Sequence, residues 1–277
     1  MNDSKTPIGV FDSGYGGLTI LDKLVTDLPQ YDFLYLGDNA RSPYGSRSSN
    51  VIHKFTLQAV EYLFSKGCPL VILACNTSSA RALRDIQQHY LPTSSDPTRR
   101  VLGVIRPTVE VLNKFTTTQH IGILATEGTV NSNSYKLEIE KLFPSFTVVQ
   151  EACPMWVPLV ENGEADSPGS DFFVRKHLDR ILREDEAIDT ILLACTHYPL
   201  LKDKIKRLLT PSINIISQGE IVAHSLQEYL VRHPEMEQRI SQGGTVRYLT
   251  TEDSNKFEEK ASLFLKRKIE AQSVAID

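Results

Sequence analysis

Two stretches of this chain repeat one another closely enough to dictate its architecture. Val71-Ile72-Leu73-Ala74-Cys75-Asn76-Thr77 and Ile191-Leu192-Leu193-Ala194-Cys195-Thr196-His197 are both apolar runs that stop at a thiol and continue into small polar residues. A helical pattern follows each, with Ala80, Leu83 and Ile86 after the first and Leu200, Leu201, Ile205 and Leu208 after the second. A run that is apolar on both faces suits a strand of a parallel sheet covered by helices. The carboxyl end of such a strand, facing a helix N-terminus, is where open α/β sheets bind ligands. The duplication predicts one cleft with a sulfur on each wall, and the helix ends are expected to draw the thiols toward thiolate. The competing reading is that both are ordinary buried cysteines, and the polar neighbours after both sulfurs argue against it. Cys68 and Cys153, each followed by a proline, read as packing residues.

The alternation of short strands with helical patterns runs through nearly the whole chain. The spacing predicts strands over 8–12, 32–37, 70–74, 101–105, 121–125, 147–151, 190–194, 213–217 and 246–250. Helical faces lie between them, among them Leu18, Leu21, Leu24 and Leu28, a stretch over 51–66 stopped by Gly67, and a last helix marked by Phe257, Ala261, Phe264 and Leu265. The class is therefore α/β, with mainly parallel sheets covered by helices. Pro/Ser/Thr-rich segments at 91–98 and 210–212 bracket a block carrying the second thiol motif. Each half then has its own sheet, the two are pseudo-symmetric, and the site is expected in the cleft between them. Periodicity alone leaves open which half the tail joins.

At 277 residues, 41% of them hydrophobic and 23% charged, the chain has the composition of an ordinary globular protein large enough for two domains. No apolar run approaches the roughly 20 residues of a membrane helix, and the polar stretch before Ile8 does not resemble a signal peptide. Four cysteines make no disulfide framework, so a reducing cytoplasm is expected. A net charge of −4, with short basic clusters (Arg99-Arg100, Lys202 to Arg207, Lys266 to Lys268) that read as solvated faces, argues against a nucleic-acid partner. The histidines lack metal-ligand spacing, so neither metal nor cofactor is expected.

Asp12-Ser13-Gly14-Tyr15-Gly16-Gly17 opens a helix after the first strand without dinucleotide-loop spacing. Its glycines suit close approach of an anion to backbone N–H groups, and Asp12 is either a helix cap or a proton partner. Gly37-Asp38-Asn39 leads into a turn-rich loop in which Tyr44 and Gly45 face a ligand or merely turn the chain. His197, two residues after Cys195, is a candidate proton partner. Trp156 and Phe172 read as core. Two thiols across a small ligand suit a disulfide or, without any cofactor, proton transfer on opposite faces of a carbon. A Cys195/His197 hydrolase and a two-lobed amino-acid-binding module also fit parts of the pattern, though the hydrolase leaves Cys75 unused.

Taken together, Phe11 to Leu18, Gly37-Asp38 with Pro43-Tyr44-Gly45, Ala74 to Thr77, Gly128-Thr129-Val130, Cys153-Pro154 with Val157 to Glu161, and Ala194 to Leu200 resemble the glutamate racemases of the aspartate/glutamate racemase superfamily. The likeness runs in order over about residues 8 to 225. It implies a cofactor-independent isomerase that interconverts L- and D-glutamate for peptidoglycan and cell-wall synthesis. It also implies a cytoplasmic setting, commonly a homodimer, and no nucleic-acid or membrane partner. By resemblance, Cys75 serves the D-enantiomer with Asp12, and Cys195 the L-enantiomer with His197. Ser13, Tyr44, Gly45, Asn76, Thr77, Thr129 and Thr196, with Asp12 and His197, would bind substrate, and Asp38 and Glu161 match acidic positions near the site. The first domain would comprise 1–98 and 212–277, and the second 99–211. Ser217-Gln218 stands where many members have Asp-Ser. Members controlled by a peptidoglycan precursor tend to carry a longer N-terminal extension, so that regulation is not expected here. The nearest rival is racemisation of aspartate, against which the Pro-Tyr-Gly and Gly-Thr-Val segments speak.

Overall fold

The computed structural model describes residues 5–276. Its strands are β1 (Ile8–Asp12), β2 (Phe33–Gly37), β3 (Leu70–Leu73), β4 (Arg100–Gly103), β5 (His120–Ala125), β6 (Thr147–Ala152), β7 (Thr190–Ala194), β8 (Asn214–Ile216), β9 (Val246–Thr250) and β10 (Ala271–Ser273). They form a sheet of order β10-β9-β2-β1-β3-β4 and a second of order β6-β5-β7-β8. Every pairing between them is parallel. β1, β2, β3 and β7 are buried along their whole length, which explains why their sequences are apolar without alternation.

Each sheet is sandwiched. Ile8, Val10, Tyr35 and Ile72 face one side of the first, against Leu18, Leu21 and Leu24 of the helix Leu18–Asp27 and against Phe257 and Ala261 of the last helix. Phe11, Leu34, Leu36, Val71 and Leu73 face the other side, packed on the helix Ser49–Ser65. The second sheet divides likewise between Leu124, Ile191 and Leu193 on one face and Ile121, Ile123 and Leu192 on the other. The side chains of successive strand residues alternate between these layers because the pleat has a period of two.

The tail splits between the sheets. β8 pairs with β7 in the second sheet, whereas β9 adds to β2 and β10 to β9 in the first. β4, beyond the Pro/Ser/Thr segment, pairs with β3. The chain therefore crosses between sheets after β4 and after β8, rather than at 98/99 and 211/212. β10 carried no sequence signal, because Ala-Gln-Ser is a short, largely exposed edge strand with no apolar pattern.

Two readings of single residues are corrected. Phe172 is 66% exposed on the outer face of its helix, while Trp156 is fully buried and meets the Tyr198 ring edge-on at 4.8 Å. Lys204, expected on a solvated face, is buried, donating to the Ser167 carbonyl at 2.7 Å and pairing with Asp171 at 2.5 Å. Trp156→Ala should cost about 3–5 kcal/mol by urea denaturation. Phe172→Ala should stay within about 0.5 kcal/mol of the parent.

Candidate active site

The residues flagged in the sequence converge because both sheets point the carboxyl ends of their central strands at one cleft. Ser13 follows β1, the Ser42–Ser46 loop lies beyond β2, Cys75 follows β3, Thr126 follows β5, Cys153 follows β6 and Cys195 follows β7. All of them line a cavity of about 180 Å³, room for a small metabolite. The two sulfurs come from different sheets and both are buried.

Cys75 caps the helix Asn76–Arg81, its sulfur accepting from the Ser78 backbone N–H at 3.4 Å and donating to the Ser13 hydroxyl at 3.4 Å. The helix end was expected to favour the thiolate. Burial and the charge of nearby Asp12 outweigh it, and the Cys75 thiol is pushed up to about 11. Asp12 is fully buried below the cleft floor, accepting from the Gly14 N–H at 2.8 Å and from the Thr196 hydroxyl at 3.4 Å. Burial also raises its carboxyl above the ordinary range, against the pull of His197 and the backbone N–H groups.

The second thiol has the opposite electrostatic setting. His197 Nδ1 lies 3.9 Å from Cys195 Sγ, and Nε2 lies 2.8 Å from Glu161 Oε1. Burial opposes a charged ring, but the bonds to Cys195 and Glu161 prevail, and His197 is pushed up to about 10. It is therefore an imidazolium at neutral pH. Phe264 of the last helix covers the ring edge-on at 5.6 Å.

Around the thiols stand neutral polar groups. Thr77 bonds Thr126 at 2.9 Å across the domain gap, and the Gly128 N–H donates to the Gly45 carbonyl at 2.7 Å. Asn76, Thr77, Gly45 and Thr196 line the cavity, whereas Thr129 stands behind Thr126 and Thr77, within 3.2 Å of the former and 3.5 Å of the latter. The Tyr44 ring lines the wall, but its hydroxyl donates to Asp38, which also receives Arg41 Nε at 2.7 Å and Thr251 Oγ1 at 2.8 Å. Arg41 is thus committed to Asp38 and to the Phe55 ring, 4.1 Å away, and no Lys or Arg lines the cavity among the described residues.

The glycines after Asp12 are also required on steric grounds. A Cβ on Gly16 would strike Thr196 and His197, and one on Gly17 would strike Asp12 itself. Gly16 thus permits close approach of the second domain, and Gly17 leaves room for the Asp12 side chain. Sequence reasoning missed Ser42, Ser46, Thr126 and Glu127 as lining residues and placed Cys153 only in the core, although it both packs and borders the cavity. Asking which residue follows each strand would have found Thr126 and Cys153.

The profile of the Asp/Glu/hydantoin racemase family matches residues 17–226. The chain belongs to that family. It is 39% identical to a glutamate racemase of Ruegeria sp. (strain TM1040), over 95% of this chain and 97% of that one. Among solved structures it is similar to a glutamate racemase isoform of Bacillus anthracis, with a TM-score of 0.87, 34% identity, and 98% and 97% of the two chains covered. It is also similar to the glutamate racemase of Francisella tularensis in complex with D-glutamate, with a TM-score of 0.86, 30% identity, and 99% and 98% covered. The chain is accordingly an amino-acid racemase of α/β fold with two domains.

The His197 assignment is open to NMR. With a ring pKa of about 10, the imidazole should remain protonated at pH 8. Glu161→Gln should move its titration downward, since one of the two interactions that raise it is weakened. A midpoint near the ordinary histidine value in the parent would contradict the charged ring.

Proposed function

We propose that this chain interconverts L- and D-glutamate by proton transfer between Cys75 and Cys195, supplying D-glutamate for peptidoglycan. The observation that carries the reading is the pair of buried thiols at strand ends of opposite sheets, with Asp12 near the one and His197 Nδ1 3.9 Å from the other. A stereocentre is inverted when one base removes the α-proton and an acid delivers another to the opposite face. The two sulfurs must therefore be in opposite protonation states at the start of each turnover.

For L-glutamate, a Cys195 thiolate takes the α-proton, and the electron pair of the C–H bond is left on the α-carbon and its carboxylate. The Cys75 thiol, held protonated by burial and Asp12, gives its proton to the other face. Turnover leaves Cys195 as thiol and Cys75 as thiolate, and the starting state returns by proton exchange with water. The His197 ring can donate a hydrogen bond to a Cys195 thiolate, and Asp12, its carboxyl raised by burial, can exchange a proton with Cys75. From D-glutamate the two sulfurs exchange roles. Hydroxyls and amides of Ser13, Asn76, Thr77 and Thr196, with backbone N–H groups, supply donors for the substrate's carboxylates without a guanidinium clamp. The glutamate racemase relatives and the complex of one of them with D-glutamate support glutamate over aspartate. A cytoplasmic setting accords with four free cysteines. A homodimer is carried over from the family resemblance, and light scattering would measure it.

Cys75→Ala and Cys195→Ala should each abolish racemisation, followed by circular dichroism of pure L- or D-glutamate, with the fold retained. Substantial activity in either would remove the two-thiol mechanism. In D2O, an early-stopped reaction from L-glutamate should give D-product almost fully deuterated at the α-carbon and leave recovered substrate largely protiated, as read by mass spectrometry of the separated enantiomers. Deuterium entering substrate as fast as product would mean that a single base serves both faces.

A further inference from the structure

Behind the Cys75 wall lies a closed ring of three buried side chains. Asn76 Nδ2 donates to Gln218 Oε1 at 2.7 Å, Gln218 Nε2 donates to the Tyr135 hydroxyl at 2.8 Å, and that hydroxyl donates to Asn76 Oδ1 at 2.6 Å. Asn76 and Gln218 are each 2% exposed and Tyr135 is fully buried. The members come from separate parts of the fold. Asn76 begins the helix after Cys75, Tyr135 lies on the helix Ser134–Leu142 of the second domain, and Gln218 sits where the chain returns from β8 to the first domain. Of the three, only Asn76 lines the cavity.

We infer that Gln218 is a positioning residue for substrate recognition, fixing which end of the Asn76 carboxamide faces the bound amino acid. The inference rests on the glutamate reading of the cavity. Its physical basis is directional. A carboxamide has nearly the same shape either way round, so only its partners decide where its oxygen and nitrogen point. Gln218 Nε2 also approaches the Val104 carbonyl at 3.3 Å and Thr108 Oγ1 at 2.9 Å. The carbonyl can only accept, so the nitrogen end of Gln218 must face it and the oxygen end must face Asn76. Asn76 is then obliged to present Nδ2 to Gln218 and Oδ1 to Tyr135, whose single hydroxyl proton closes the ring. Reversing Asn76 alone would set oxygen against oxygen at Gln218. Reversing both amides would set Gln218 Oε1 against the Val104 carbonyl. Each alternative leaves buried acceptors face to face, which is costly where water cannot intervene. Val104 lies where the chain leaves the first domain, so Gln218 also joins the two crossings between domains.

The test is a double-mutant cycle on kcat/KM for both glutamate enantiomers, using the full chain. Gln218→Ala should lower kcat/KM by about tenfold or more, mainly through KM. Placed in an Asn76→Ala background, it should cost less than about twofold, because the group it orients is already gone. An unchanged kcat/KM in Gln218→Ala, or the same loss in both backgrounds, would overturn the proposal. Gln218→Glu keeps the shape and provides a second readout should the alanine variant fail to fold. Its carboxylate has no proton for Tyr135 or the Val104 carbonyl, whereas its protonated form has one. Its activity relative to the parent should therefore rise as pH falls, and a flat ratio would equally overturn the assignment. A parent protein inert on glutamate would instead overturn the reading of the cavity itself, and with it this proposal.

Discussion

Everything at the site depends on the parallel direction of the central strands. In both sheets the strands deliver their carboxyl ends to the same side, so the first one or two residues beyond each strand emerge there with backbone N–H groups not yet taken up by a helix. Cys75 and Cys195 occupy equivalent places on opposite walls for that reason, and Ser13, Thr126 and Cys153 accompany them. A sheet with antiparallel central strands would send half of these residues to the far end of the domain.

The duplicated geometry is electrostatically unequal. The buried Asp12 carboxyl lies near Cys75, and beside Cys195 stands the His197 ring, its pKa raised by its bonds to Cys195 and Glu161. Two thiols in identical surroundings would have no reason to hold opposite protonation states, whereas these surroundings bias one toward acid and leave a cation beside the other. The Thr196 hydroxyl, reaching Asp12 from the second domain, joins the two halves of this charge arrangement. Gly16 lets the halves approach, since a side chain there would collide with Thr196 and His197.

The polar groups of the cavity wall have their orientation set from behind. Tyr44, Asp38, Arg41 and Thr251 form one buried assembly beneath the Ser42–Ser46 loop, and Asn76, Gln218, Tyr135 and Thr108 form another beneath the Cys75 wall. The Arg41 guanidinium, next to that loop in sequence, is spent on the first of these. Hydrogen bonds between buried groups resist rearrangement, because breaking one strands a donor or acceptor away from water.

The sequence by itself determined the α/β class, the positions of nine strands and the pairing of two strand-end thiols, because buried parallel strands and helix faces are written as local apolar periodicity. It also pointed to Asn76, Thr77, Thr196 and His197, which are neighbours of those thiols in the chain, and to Ser13, which follows the first strand. It did not determine that Phe172 is exposed, that Thr129 stands behind Thr126, that the edge strand β10 forms, or that burial, with Asp12, pushes the Cys75 thiol up. Nor did it reveal Gln218 as a partner of Asn76, 142 positions away. These were decided by tertiary structure alone, since exposure, desolvation and hydrogen-bond partnership depend on residues brought together from distant parts of the chain, and no local pattern encodes them.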